Sequence, residues 1–470
     1  MELVSLSETI HFIGVGGAGM SALARILAGQ GAVVTGSDLR ESAVLESLRS
    51  EYGMRAVGHH DAEFVQNADL VVYSAAVKGD NPEYAAARHG GIPLITRAQM
   101  LGRMMSQYPK SIAVTGTHGK TTTSGMISSI LLAAGVDPTI VIGGDLPAIG
   151  GNAKLGKSDF FVAESCEAYG SFLELSPHLA IVTNIEADHL DYYGDLAGVK
   201  KAFRDFLERV TGTAIVCGQD PNIAAITANK SKLPRIVRYG FVDNLDYRAE
   251  NIDHSNGLPT YTLSVHGKAA GTVQLGVPGY HNVANSVAAA AAALELGVDF
   301  SAVASGLGDF RGTGRRFEHL GVSASGVLVV DDYAHHPTEI QATLLAARSL
   351  YPNRRIVAAF QPHLPSRTRD FLTEFASSFG QADHVVLTDI YLAREKPMEG
   401  VTGAGLAALT ADDRGSEHVT YVADPKALPE RLQRLTQPGD LLLTLGAGDE
   451  IRKVAEAFVA APAQILEESR

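Results

Sequence analysis

The chain has little cysteine: Cys166 and Cys217 are its only two in 470 residues. A disulfide framework is therefore not expected, and the pattern suits a reducing cytosol. No CxxC pair or Cys/His spacing is present to build a structural zinc site. Long apolar runs are also missing. None reaches the roughly 18 residues that span a bilayer, and the alanine-rich run Ala288–Leu296 reads as a packed helix. Met1–Thr9 has two glutamates and no basic segment leading into an apolar one, so it does not read as a secretory leader. Basic residues are in deficit, 39 Lys and Arg against 52 Asp and Glu, a net charge of −13. That argues against non-specific nucleic-acid binding. Neither nucleic acid nor membrane insertion is expected.

What is present is an ordinary globular composition, 46% hydrophobic and 19% charged. The length suggests about three domains. Short apolar runs alternate with helical patterns, the signature of parallel sheets covered by helices. A larger unit recurs: strand, glycine turn, helix. The first begins at Ile10–Val15, continues through a helix over Met20–Ala28 and strands at Ala32–Thr35 and Leu70–Tyr73, and fades near Gln107-Tyr108-Pro109. The second begins at Ile112–Val114, with a helix to about Ala134 and strands at Phe160–Ala163 and Ala180–Thr183. The third has strands at Val327–Val330, Ile356–Ala359, His384–Leu387 and Leu441–Leu445. The expected fold class is α/β in three domains, 1–108, 109–312 and 313–470: a Rossmann-like N-terminal domain, a central P-loop-type ATPase domain and a C-terminal Rossmann-like domain.

The strongest motif is Gly116-Thr117-His118-Gly119-Lys120-Thr121-Thr122, set between a strand and a helix. Glycines let backbone approach phosphate, and a helix N-terminus offers free amides and a favourable dipole. Lys120 would reach the terminal phosphates of ATP and the Thr121 hydroxyl would sit on Mg²⁺. The strict P-loop pattern is not met, because Val114 stands where its first glycine belongs; alternatively this is an ordinary glycine turn with a surface lysine. Gly14-x-Gly16-Gly17-Ala18-Gly19, followed by Asp38 at the end of the next strand, points to a nucleotide diphosphate without saying which. Alternatively those glycines serve only tight helix–strand packing.

Polar groups cluster where apolar strands end, which is where ligands bind in open α/β sheets. Glu164 follows Phe160–Ala163, and Asn184-Ile-Glu186-Ala-Asp188-His189 follows Ala180–Thr183. Glu164 and His189 could converge with Thr121 on a metal shared with ATP; otherwise they are a loop acid and a structural histidine. In the third unit, Asp331-Asp332-Tyr333-Ala-His335-His336 and Phe360-Gln-Pro-His363-Leu364-Pro-Ser-Arg367 crowd two strand ends with groups suited to ribose, carboxylate or phosphate. A metal reading of His335-His336 ranks below substrate contact, because adjacent residues usually point apart. Asn282 and Asn285 open a helix and could read an adenine edge, or Asn282 is a helix cap. Arg315-Arg316 could close onto phosphates, or belong to an exposed linker.

The order of these motifs closely resembles the Mur ligases of peptidoglycan synthesis. The resemblance runs over nearly the whole chain, through Gly14–Met20, Thr115–Thr123, Asn184–Asp191, Gly279–Asn285, Arg315–Glu318, Asp331–Glu339 and Phe360–His363. It is nearest the branch that joins L-alanine to UDP-N-acetylmuramate using ATP. The resemblance implies that Gly16, Gly17, Ala18 and Gly19 lie near the diphosphate of the sugar nucleotide, with Asp38 and Ser74 near uridine, so NAD is not expected. Gly116 to Thr122 would bind ATP, with Asn282 and Asn285 at adenine, Asp332 at the ribose and Arg316 at the phosphates. Thr121, Glu164 and His189 would hold Mg²⁺ or Mn²⁺. Tyr333, His335 and Arg367 would position L-alanine, and Lys120, His189, His335 and Arg367 would serve catalysis. The resemblance also implies a cytoplasmic enzyme, a monomer or weak homodimer.

Some residues depart from the family. Cys166 and Tyr169 stand where acids are expected after the metal glutamate, and Leu364 stands where some members carry arginine. Lys200 and Lys201 read as helix-surface residues rather than a carbamylated metal partner. Two other activities compete: a related ligase attaching a preformed peptide to the same sugar nucleotide, and an NAD-dependent oxidoreductase, which would leave Lys120 idle.

Overall fold

The computed structural model describes residues 8–74 and 76–461. Most of Met1–Thr9 therefore lies outside the described residues. Contacts divide the chain into two compact units. One runs to Asn251 and adds Tyr261–Gln274 and Ala284–Arg311; the other holds Ile252–Thr260, Leu275–Val283 and the chain from Gly312. Three α/β domains with predominantly parallel sheets make up the fold.

The N-terminal sheet contains β1 (Thr9–Ile13), β2 (Val33–Ser37), β3 (Arg55–Val57), β4 (Leu70–Tyr73) and β5 (Leu94–Thr96), all parallel, in the order β3-β2-β1-β4-β5. Ile10, Phe12 and Ile13 are fully buried, as expected for a strand covered on both faces. Strand order reverses at β1, which opens a crevice beyond its carboxyl end.

The central sheet has ten strands: β6 (Lys110–Thr115), β7 (Thr139–Leu146), β8 (Gly151–Lys154), β9 (Phe160–Glu164), β10 (Leu179–Val182), β11 (Thr213–Cys217), β12 (Arg235–Gly240), β13 (Tyr247–Asp253), β14 (Thr260–Val265) and β15 (Lys268–Gln274). Its order is β15-β14-β13-β12-β11-β10-β6-β9-β7-β8, and β6 is flanked by parallel β9 and β10. The β7–β8 pair at its edge is antiparallel. The alanine-rich run lies in the helix Tyr280–Glu295, with Ala288–Ala293 fully buried. Small side chains there let the helix sit close to its neighbours. Within the same unit the helix Ala18–Gly29 packs on β7 and β8, and Asn152 Nδ2 donates to the Ala18 carbonyl at 3.1 Å.

The C-terminal sheet contains β16 (Glu318–Val322), β17 (Leu328–Asp332), β18 (Ile356–Phe360), β19 (His384–Thr388), β20 (Val419–Val422) and β21 (Leu441–Leu445), in the order β16-β17-β21-β18-β19-β20. Only the edge strand β16 is antiparallel. Every strand read from the sequence coincides with an observed one to within about two residues. No described helix is long and apolar enough to cross a membrane.

Candidate active site

The glycine turn Gly116–Gly119 follows β6 and opens the helix Lys120–Ala133. Gly116 has φ +134°, and a Cβ there would fall 2.0 Å from Thr183 Oγ1, so only glycine fits. The end of β10 pins the turn. Thr183 Oγ1 and Asn184 Nδ2 donate to the His118 carbonyl at 2.6 and 3.1 Å, and the His118 amide donates to Asn184 Oδ1 at 2.8 Å. Thr117 Oγ1 accepts the Glu186 amide at 2.9 Å, and His118 Nε2 lies 3.3 Å from Glu186 Oε2. A Cβ at Gly119, φ +81°, would meet Asn285 Oδ1 at 2.6 Å, so Asn285 stands directly over the turn. Thr121 is buried in the first helical turn.

Lys120 does not project into solvent. Its Nζ donates to the carbonyls of Gly116 and Thr117 at 2.6 and 3.0 Å and lies 2.9 Å from one Glu167 carboxylate oxygen and 3.2 Å from the other. Burial opposes the ammonium charge, but Glu167, with Cys166 and Glu164, holds its pKa above the ordinary lysine range. The charge is kept on the lysine. His189 Nε2 lies 3.9 Å from Glu167 Oε1, and His189 takes a left-handed backbone, φ 53°, at the start of the helix Leu190–Tyr193. Tyr193 donates to the Glu167 carbonyl. Glu164 is held from its other side: its Oε2 accepts the Gly143 amide at 2.7 Å.

Sequence reasoning passed over Glu167, which the structure places at the centre of this group. The signal was the three-residue spacing from Glu164 to Glu167. Cys166, between them, is pushed up to about 11 by burial and by Glu167, so it stays a neutral thiol. Lys200 and Lys201 lie on the helix Leu196–Leu207; Lys201 is exposed and pairs with Asp205.

In the N-terminal sheet the glycine turn hangs on the end of β2. The amides of Gly14 and Val15 both donate to the Ser37 carbonyl, at 2.8 and 2.9 Å. Asp38 Oδ2 accepts the Gly16 amide at 2.9 Å, and a Cβ on Gly16 would meet that oxygen at 2.8 Å. Gly17 caps the helix beginning at Ala18, Gly19 packs on Arg97, and Ser74 packs on Gly14. The structure thus gathers Gly16, Gly17, Ala18, Asp38 and Ser74 at the carboxyl ends of β1, β2 and β4.

In the C-terminal unit, Asp332 ends β17. Its two oxygens accept the amides of Phe317 and Ala334 at 2.7 and 2.8 Å, and burial raises its pKa to about 6. The Arg315 and Arg316 guanidinium groups each lie 5.0 Å from the centre of the Tyr333 ring. Arg315 is fixed on Asp331 and on the carbonyls of Gly446 and Gly448. His335 Nδ1 lies 3.2 Å from Glu339, and the His335 ring meets His363 edge-on at 5.9 Å. Arg367 is buried, with Nη1 3.4 Å from His363 Nδ1. His336 turns the other way: it caps the helix Pro337–Leu350 and packs on Phe371. Adjacent histidines point apart, as expected. Asn282 Nδ2 donates to the Pro278 carbonyl at 2.7 Å at the helix entry. Glu339 is a second residue missed; its i, i+4 spacing from His335 was legible.

Comparison with known proteins meets this geometry from outside. Profiles described as "Mur ligase family, catalytic domain", "Mur ligase middle domain" and "Mur ligase, glutamate ligase domain" match residues 9–109, 114–293 and 315–448. A UDP-N-acetylmuramate–L-alanine ligase of Geobacter sulfurreducens is 48% identical over 466 residues, 98% of each chain. The chain belongs to the Mur ligase family. Among other members, a UDP-N-acetylmuramate–L-alanine ligase of Salinibacter ruber is 47% identical over 453 residues, 96% of this chain and 94% of its own. In structure, this Mur ligase resembles the UDP-N-acetylmuramate-alanine ligase of Thermotoga maritima, with a TM-score of 0.80 at 31% identity over 96% of this chain and 98% of that one. It also resembles a murein peptide ligase of Psychrobacter arcticus, with a TM-score of 0.70 at 25% identity over 98% of this chain and 100% of that one.

Proposed function

We propose that this Mur ligase joins L-alanine to UDP-N-acetylmuramate in peptidoglycan synthesis, at the expense of ATP, giving UDP-N-acetylmuramoyl-L-alanine, ADP and phosphate. The observation that carries the reading is the charged Lys120, held with Glu167 and His189 at a glycine turn, in a chain 48% identical from end to end to a UDP-N-acetylmuramate–L-alanine ligase. Residues 1–108 bind the sugar nucleotide through Gly16, Gly17, Ala18, Gly19, Asp38 and Ser74. Residues 109–312 bind ATP through Gly116, Thr117, His118, Gly119, Lys120, Thr121 and Thr122, with Asn282 and Asn285 at adenine. Residues 313–470 bring Arg316 to the phosphates, Asp332 to the ribose, and Tyr333, His335 and Arg367 to L-alanine. The nucleotide substrates put the reaction in the cytoplasm.

A carboxylate is a poor acyl donor because oxide is a poor leaving group. One carboxylate oxygen of the sugar nucleotide attacks the γ-phosphorus of ATP, the bond to the β–γ bridging oxygen breaks, and ADP leaves. Lys120 balances charge on the phosphoryl oxygens during transfer. The neutral amine of L-alanine then attacks the acyl carbon, an oxyanion forms, and the bond to phosphate breaks. His335, and His189 when its imidazole does not bind the metal, are the candidates to take the ammonium proton. Thr121, Glu164 and His189 offer a hydroxyl, a carboxylate and an imidazole, a donor set that fits Mg²⁺ or Mn²⁺ shared with phosphate oxygens; such an ion would supply further neutralisation of charge.

The acyl-phosphate step is tested with UDP-N-acetylmuramate labelled with ¹⁸O in its carboxylate. The released phosphate carries one ¹⁸O atom if the carboxylate attacks phosphorus. Unlabelled phosphate contradicts the mechanism.

A further inference from the structure

The most heavily bonded buried acid among the described residues lies outside the ATP turn. Glu83, on the helix Pro82–His89, is fully buried. Ser37 Oγ donates to its Oε2 at 2.5 Å, and His11 Nε2 lies 3.1 Å from the same oxygen. The Asp61 amide donates to Oε1 at 3.1 Å, and His60 Nδ1 lies 3.2 Å from that oxygen and 2.9 Å from Ser37 Oγ. His11 Nδ1 is completed by Thr35 Oγ1 at 2.8 Å. The helix N-terminus adds favourable dipole, and burial is outweighed by these partners, so the carboxyl stays below its ordinary pKa range. A charge kept at this cost under a sheet fixes one arrangement of what it touches.

What it touches is the support of the glycine turn. The Ser37 carbonyl accepts both the Gly14 and Val15 amides, and the next residue, Asp38, accepts the Gly16 amide. We infer that Glu83, with His11, Ser37 and His60, is a positioning network that sets the geometry of the Gly14–Gly17 turn and so the affinity for the diphosphate of the sugar nucleotide, without touching substrate. This rests on the reading of the N-terminal domain as the sugar-nucleotide domain. It commits the network to one substrate: ATP binding is served by a different turn on a different sheet.

The test combines steady-state kinetics, direct binding of UDP-N-acetylmuramate and thermal midpoints for the full chain carrying Ser37→Ala, Glu83→Gln or Gly16→Ala. Ser37→Ala keeps the backbone carbonyl and removes the hydroxyl that ties residue 37 to Glu83. Glu83→Gln keeps an oxygen acceptor and removes the charge. Ser37→Ala is expected to raise KM for the sugar nucleotide about tenfold, with KM for ATP and saturated kcat unchanged. Glu83→Gln is expected to show a smaller rise in that same KM. The proposal is overturned if neither variant moves that KM, or if kcat and KM for ATP shift in step with a lost thermal midpoint. Abolished binding in Gly16→Ala beside unchanged binding in the other two sinks the network and leaves the domain reading standing. Unchanged binding in Gly16→Ala sinks the domain reading, and the network with it.

Discussion

Lys120 carries a positive charge where burial alone would remove it, and Glu167 is the reason it keeps it. Lys120→Met should abolish turnover, by at least about a hundredfold, because charge on the transferring phosphoryl group loses its partner. It should also destabilise the enzyme by about 3 kcal/mol, because a buried carboxylate is left unpaired. Adding Glu167→Gln should recover most of that stability and none of the turnover; thermal melts and phosphate release on the single and double variants check this. Asp332 behaves oppositely to a paired acid. Burial lifts its folded pKa from 3.8 to about 6. The folded chain therefore binds its proton more tightly than the unfolded chain. That contribution is whole below about pH 4, fades as pH rises through 6, and totals up to about 3 kcal/mol. Asp332→Asn, always neutral, should gain stability relative to the parent between pH 4 and 6 and hold a constant difference above; parallel pH–stability curves would contradict this. At this scale the sequence showed Lys120, Asp332 and His335 as candidates but not their neighbours. Glu167 and Glu339 were in plain view, yet only folding shows that one reaches Lys120 and the other His335.

Strand, turn and helix form the unit that carries each site, and in the first two domains the turn is rich in glycine. The reading succeeded where a strand is covered on both faces, because β6, β9, β10, β17, β18 and β21 are then continuous apolar runs. It missed β3, β5, β7, β8, β11 to β16 and β20. β12 reads Arg-Ile-Val-Arg-Tyr-Gly and β13 Tyr-Arg-Ala-Glu-Asn-Ile-Asp, with exposed and buried positions mixed, so their pattern is the weaker alternation of half-buried strands. The turn after β6 was legible as a glycine turn between strand and helix despite Val114, and its glycines answer a steric demand visible in the fold. Gly116→Ala places a methyl 2.0 Å from Thr183 Oγ1 in a backbone that L-residues rarely adopt. It should cost more than about 2 kcal/mol of stability and abolish ATP binding. Titration with a fluorescent ATP analogue decides; unimpaired binding would show that the turn does not cradle phosphate.

Over the whole molecule, the proposed function divides the work among three sheets: sugar nucleotide on the first, ATP on the second, acceptor amino acid on the third. Composition and periodicity carried the three-domain α/β organisation, whereas the chemistry came from strand ends read together. The same N-terminal glycines that alone suggest a redox cofactor read as a sugar-nucleotide turn once the ATP turn and the crowded ends of β17 and β18 stand beside them. In the proposed function, selectivity for L-alanine rests on the surroundings of Tyr333, His335 and Arg367. One methyl group is worth only about 1–3 kcal/mol of discrimination, so slow turnover of glycine or serine is expected. The measurement that bears most directly on this account is phosphate release with UDP-N-acetylmuramate and ATP, supplied in turn with each amino acid and with a murein tripeptide. The account predicts release that requires the sugar nucleotide and is fastest with L-alanine. Release only with the tripeptide, or release indifferent to UDP-N-acetylmuramate, would contradict it.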